Sequence, residues 1–192
     1  MARPLTHDAA LRETLLGTAT EQITRLGHGN LVLRDVAAAA GTSTSAIYAL
    51  FGGKAQLLTA VINGAFVSFG HSQEVAAPEG MTALGRAYRD WALEHPALYG
   101  LMFGGALVAG IDCPASPDVA ASALGPLHAT VTATLRRSGS SQSARLATTT
   151  IWGQVHGLVS LELAQVPLPG NTAWDEAYEA TLRSIVSLYG ER

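Results

Sequence analysis

The stretch AAGTSTSAIYALFGGK, residues 39–54, sets four small hydroxyl side chains, Thr42, Ser43, Thr44 and Ser45, directly in front of the apolar run Ala-Ile-Tyr-Ala-Leu-Phe. Behind that run come two glycines and Lys54, the one lysine of the 192-residue chain. Short hydroxyls can donate to and accept from base edges or phosphates. A phenol and an ammonium bind anionic oxygen. These groups form no catalytic set, because no base stands beside a nucleophile. They form a surface that reads polar edges and holds negative charge, provided that the elements beneath them turn them to one side.

Those elements are legible from periodicity. Ile47, Leu50 and Phe51 lie at i, i+3 and i+4 and face inward, which leaves Thr44, Ser45, Tyr48 and Ala49 outside. The helix starts near Ser43 or Thr44, where the Ser43 hydroxyl can cap it, and Gly52-Gly53 stops it. Before it, a short helix over about Leu33–Ala40 has Leu33, Val36, Ala37 and Ala40 inward, and Gly41 suits the turn that follows. A first helix runs from Thr6, its expected cap, to about Leu26, with Leu15, Ala19, Ile23 and Leu26 on one face. GHGN, 27–30, ends it. Two short helices about a tight glycine turn, packed on a longer one, make a helix-turn-helix, whose second helix enters the DNA major groove front first. Lys54 opens a fourth helix, to about His71, where the helix dipole already favours an anion.

The rest of the chain shows no strand signal and no internal repeat. Helices are expected over Met81–Glu94, from Pro96 through PALYGLMFGG, over Val119–Arg137, Ala144–Ala164 and Ala173–Tyr189. Loops fall at 109–118, 138–143 and QVPLPGNT. The fold class is all-α with about nine helices. A head over 1–53 that carries the helix-turn-helix precedes a second all-helical domain over 54–192.

Composition bounds the function classes. The chain is 48% hydrophobic and 14% charged, enough apolar material for a core. No apolar run reaches the roughly 18 residues of a membrane span, and MARPLTHDAALRE lacks the apolar stretch of a signal peptide. A lone cysteine, Cys113, excludes an internal disulfide and a cysteine zinc cluster. These features point to the cytoplasm and to no membrane partner. The net charge of −3 looks wrong for a nucleic-acid binder. Residues 1–54 nonetheless set Arg3, Arg12, Arg25, Arg34 and Lys54 against Asp8, Glu13, Glu21 and Asp35, and local arrangement outweighs the sum. An enzyme is disfavoured. His95, His128, His156, Glu162, Asp112 and Cys113 are catalytic types, but no Gly-x-Ser-x-Gly, phosphate-binding glycine loop or His-Glu-x-x-His occurs. The six histidines are scattered, so neither metal nor cofactor is implied.

Residues 33–58, LRDVAAAAGTSTSAIYALFGGKAQLL, resemble the DNA-binding motif of TetR-family transcriptional regulators. That motif is a short helix ending in Ala-Gly, a small turn, a recognition helix ending in Tyr-x-x-Phe, then Lys with apolar residues after it. Ala40-Gly41, Tyr48, Phe51, Lys54 and Leu57 fill those places. Val32 stands where the family often has a capping Ser or Thr, which leaves the cap to Asn30 or to none, and Thr42 replaces the common Val of the turn. The resemblance implies an obligate homodimer with recognition helices roughly 34–36 Å apart on a palindromic operator. Arg34, Thr42, Ser43, Thr44, Ser45, Tyr48 and Lys54 are the expected DNA contacts, with Arg3 a further candidate.

Residues 87–104, AYRDWALEHPALYGLMFG, and 151–163, IWGQVHGLVSLEL, resemble an effector-domain subgroup of the same family, marked here by Trp152, His156, Gly157, Leu161 and Glu162. The helix around Trp152 is apolar nearly all round. Trp152, His156, Val159 and Leu163 form one stripe, and Ile151, Val155, Leu158 and Glu162 the next. The last helix carries Tyr178, Leu182, Ile185 and Tyr189 on one stripe. A four-helix contact between two copies would hide both. A small-molecule effector is expected among Trp91, His95, Tyr99, Met102, Phe103, His128, Trp152 and His156, a mostly apolar set with few polar groups. The expected mechanism is a repressor released from its operator by that effector. The alternatives are an activator, or an interaction module that has lost DNA binding.

Overall fold

Glycine and proline punctuate the chain into ten α-helices among the described residues. The computed structural model describes residues 5–105, 113–167, 170 and 173–189. The helices are α1 (Leu5–Leu26), α2 (Leu33–Ala39), α3 (Thr44–Phe51), α4 (Lys54–Ala76), α5 (Met81–Glu94), α6 (Pro96–Gly100), α7 (Pro117–Ala123), α8 (Gly125–Arg137), α9 (Ala144–Leu163) and α10 (Trp174–Tyr189). No strand occurs among the described residues. No single helix among them is long and apolar enough to cross a membrane. Two compact units result. One holds the described residues of Met1–Val67 and His95–Ala120, and the other those of Ser68–Glu94 and Ala121–Arg192.

In the first unit α2 and α3 pack on α1, and α6 packs on α1 as well. Leu15, Ala19, Ile23, Leu31, Val36, Ala37 and Ile47 are buried there. The α2–α3 turn is a Schellman motif. Gly41 takes φ +65°, its N–H donates to Ala38 O at 3.1 Å, and Thr42 N–H donates to Ala37 O at 2.9 Å. Only glycine takes that left-handed angle without strain, so the spent carbonyls of α2 are satisfied within one turn. Asn63 of α4 clasps the start of α7. Its Nδ2 donates to Ser116 Oγ at 2.9 Å, and Ser116 N–H donates to Asn63 Oδ1 at 2.8 Å.

In the second unit α5, α8, α9 and α10 all pack against one another. Their apolar stripes meet: Leu84, Tyr88 and Trp91; Val131 and Leu135; Ile151, Val155 and Val159; Tyr178, Leu182, Ile185 and Tyr189 are all buried. A Cβ on Gly85 would run into the Leu182 side chain, so Leu182 of α10 packs directly on the bare backbone of α5.

Four expectations change. Thr6 lies inside α1, which opens at Leu5 among the described residues. The helix expected over Val119–Arg137 is two, α7 and α8, parted at Leu124. Pro126 has no N–H to donate and its ring collides with the carbonyl four residues back, so the chain restarts with proline in the first turn. The helix opened by Pro96 gives way after Gly100 to a π-turn over Leu101–Gly105. The stripe Tyr178-Leu182-Ile185-Tyr189 is consumed by this unit's own core, together with Ile151, Val155 and Val159, and is not offered to a second chain.

Candidate nucleic-acid interface and effector pocket

The outer side of α3 assembles as its spacing requires. Ile47 is fully buried and Leu50 and Phe51 are half-buried. Tyr48 is 59% exposed, and Ser43 and Ser45 are exposed. Thr42 and Thr44 are half-buried. Ser43 takes the extended N-cap conformation, but its hydroxyl makes no capping bond, which corrects the expected cap. Its carbonyl closes the first turn instead, accepting from Ala46 N–H at 3.0 Å. The N-cap of α2 is Val32, with no side chain able to cap, and Asn30 works on the preceding helix, donating from Nδ2 to Leu26 O at 2.7 Å.

At the other end of α3, Gly52 adopts φ +93° and donates its N–H to Tyr48 O at 2.9 Å. Gly53, at φ +148°, is the residue before α4, and its carbonyl accepts from Leu57 N–H. The Tyr48 ring lies against Gly53, with Cε1 3.6 Å from where a Cβ would stand. The double glycine thus lets the tyrosine fold over the turn and puts the half-buried Lys54 at the first position of α4. Arg34 is exposed on α2, 3.9 Å from Asp35 Oδ1, too long for a strong pair. Arg3 lies outside the described residues.

The expected effector residues divide between the units. His95, Tyr99, Met102 and Phe103 belong to the first, where Phe103 meets Tyr99 at 4.8 Å and Phe66 edge-on at 5.8 Å between ring centroids. His95 stands at the N-cap of α6, its carbonyl accepting from Tyr99 N–H at 2.9 Å. Trp91, His128, Trp152 and His156 belong to the second unit. Trp91 Nε1 donates to Ser68 Oγ at 3.2 Å, and its ring meets Phe69 edge-on. His128 Nδ1 lies 3.1 Å from Thr148 Oγ1. His156 is the centre of a polar line: Tyr88 Oη is 3.0 Å from Nδ1, Ser160 Oγ is 3.4 Å from Nε2, and the Trp152 ring is 5.8 Å away. Asp112 lies outside the described residues, and Cys113 is buried.

Burial lowers the His156 pKa below its ordinary 6.5. The folded state therefore disfavours the imidazolium, and the unfolded chain binds the proton more readily. The sign follows. Stability is undiminished above the unfolded value and falls as pH drops through 6.5 toward the lower folded value. Melting at pH 7.5 and 5.5 should show a loss at the lower pH that His156→Gln reduces. An equal loss in the variant would remove His156 as its source.

Periodicity alone missed two features. Arg89 is a hub: its Nε donates to Glu162 Oε2 at 2.7 Å and its Nη2 to Glu162 Oε1 at 2.5 Å and Asp175 Oδ1 at 2.6 Å. Its pKa is raised, chiefly by the hydrogen bond to Glu162. The second is a small, partly open apolar pocket of about 20 Å³ in the second unit, lined by Gln73, Met81, Leu84, Gly85, Tyr88, Leu127, Ile151, Val155, Leu182, Ile185 and Val186. None of the eight expected effector residues lines it, but Tyr88 joins it to His156.

Residues 15–61 match the family model described as bacterial regulatory proteins, tetR family, and residues 81–185 match that of the tetracyclin repressor-like C-terminal domain. No curated protein matches the chain. Among solved structures, the regulatory protein SCO4313 is 26% identical with a TM-score of 0.76, over 97% of this chain and 100% of that one. PfmR, a TetR family transcriptional regulator from Thermus thermophilus, is 17% identical with a TM-score of 0.61, over 90% and 97%. RolR, solved in complex with resorcinol, is 19% identical with a TM-score of 0.67, over 98% and 92%. At these identities the last two show the shared fold.

Proposed function

Because this chain belongs to the TetR family of bacterial regulatory proteins, we propose that it is a cytoplasmic, ligand-responsive transcriptional regulator, a homodimeric repressor released from a palindromic operator by a small organic effector. The observation that carries the reading is the outer face of α3, where exposed Ser43, Ser45 and Tyr48 lead to Lys54 across the double-glycine turn. Thr42, Thr44 and Arg34 complete the proposed contact set. Hydroxyls at the front of α3 meet base edges, while Tyr48 and Lys54 take backbone phosphates.

The effector site belongs to the helical part that follows residue 53; its proposed contacts are Trp91, His128, Trp152 and His156 of the second unit, and His95, Tyr99, Met102 and Phe103 are a separate proposed set within the first. The solved complex of RolR with resorcinol supports a small organic ligand for this fold. Regulation is a population shift. DNA selects the conformer with the right spacing of recognition helices and the effector selects another, with a reciprocal coupling of about 1–3 kcal/mol. The lever is α4, which begins at Lys54 and runs unbroken to Ala76.

Selection of bound fragments from sheared genomic DNA by the purified protein tests the reading, with enrichment of one short palindrome expected. On that site Lys54→Ala and Tyr48→Phe should each weaken binding about tenfold, the loss of one charge-assisted contact, with melting temperatures unchanged. Operator affinity unchanged in both would remove the phosphate-contact assignment. No enrichment from a folded dimer, with or without candidate aromatic effectors, would favour an interaction module.

A further inference from the structure

We propose that Arg12 of α1 is a further phosphate-binding residue of the DNA interface, held in a fixed orientation by the last side chain of the recognition helix; this rests on the DNA-binding reading above. Arg12 is exposed, and its guanidinium carbon lies 4.8 Å from the centroid of the Phe51 ring. Phe51 ends α3 and abuts the Gly52-Gly53 turn that Tyr48 covers and Lys54 follows. A guanidinium 32 sequence positions before Tyr48's helix begins is thus brought to the same end of the recognition helix as the tyrosine and the lysine.

The geometry leaves the group ready for an anion. A guanidinium held within cation–π distance of an aromatic ring spends none of its N–H donors on a carboxylate and keeps them for an anion. Among the described residues no carboxylate pairs with Arg12. At an exposed site the ring contact is too weak to be a notable source of fold stability. Its larger consequence is entropic, since an arginine already restrained on a ring loses less freedom when it binds phosphate bidentately. Arg34, exposed on α2, has no comparable ring beneath it among the contacts described.

The test is titration of a mixed-sequence DNA duplex with the full-length protein over a series of salt concentrations, since a phosphate contact carries no base information. Arg12→Ala should weaken binding about five- to tenfold near physiological salt and lower the slope of log affinity against log salt by about one for each protomer bound. Its melting temperature should stay at the wild-type value. Arg12→Lys, which keeps the charge but loses the planar fork, should restore the slope and only part of the affinity. A wild-type slope in Arg12→Ala, whatever the affinity, would overturn the assignment and leave Arg12 as packing on Phe51. Failure of the wild-type protein to bind the duplex even at low salt would instead overturn the DNA-binding reading, and Arg12 with it.

Discussion

Replacing Arg89 by Met is expected to cost about 2–4 kcal/mol and to lower the melting temperature by roughly 5–15 °C. The Arg89 and Glu162 side chains are only 15% and 13% exposed, and they meet through two parallel hydrogen bonds. Arg89 also reaches Asp175 at the start of α10 and lies over the Tyr178 ring at 5.3 Å. One guanidinium therefore ties α5, α9 and α10 together. Methionine fills much of the same volume, so the loss is electrostatic and leaves the Glu162 carboxylate poorly hydrated and unpaired. The figure stands below the full penalty for a buried pair because Asp175 is 83% exposed and recovers water freely. The double variant Arg89→Met, Glu162→Met should regain most of the stability, since no charge is then stranded. A cycle in which the two single costs add would deny the coupling. Losses below about 0.5 kcal/mol in Arg89→Met would put the pair among surface ion pairs of little worth.

Why the head was so readable and this hub was not has a physical reason. The ends of α1, α2 and α3 are each set by a glycine whose positive φ is a local property, at Gly27, Gly41 and Gly52. The outward set on α3 follows from 3.6-residue periodicity about the buried Ile47. Such information sits within one turn of the residue that carries it. Arg89 and Glu162 are 73 positions apart, and only tertiary packing pairs them. The same holds for Asn63 and Ser116, 53 positions apart. The break at Leu124 was local and still missed, because apolar periodicity continues across Pro126 while the backbone cannot. Ser43 shows a subtler limit. Its N-cap place is local, but whether its hydroxyl turns back to the helix or outward is settled by what surrounds it. For the last two helices, periodicity found the stripes and could not tell which neighbour covers them.

That misassignment moves the proposed dimer contact to another face. With Ile151, Val155, Val159 and Tyr178, Leu182, Ile185, Tyr189 buried in their own unit, the stripe of α9 opposite its buried face is Leu146, Thr150, Gly153, the half-buried Gly157 and Leu161, and one flank of α10 carries the half-buried Ala177 and Thr181 and the exposed Ser184 and Leu188. Leu146, Leu161 and Leu188 are 65%, 45% and 66% exposed. The glycines are informative. Each costs a helix about 1 kcal/mol against alanine, and a Cβ at Gly153 or Gly157 would meet nothing within 4 Å among the described residues beyond its own stretch of helix. Neither has a positive φ. Nothing among the described residues needs them bare, and we propose that a second helix approaches closely there. Gly153→Glu is accordingly expected to leave the protomer helical and folded, to raise the dimer dissociation constant about a hundredfold or more by burying an unpaired charge, and to lower operator affinity because one half-site goes unfilled. Gly153→Ala separates the alternatives. On a solvent-facing helix it should raise the melting temperature and leave the assembly alone, whereas at a close crossing the added methyl weakens the dimer. Sedimentation of both variants at micromolar concentration decides the matter, and a wild-type mass for Gly153→Glu would place the dimer contact elsewhere.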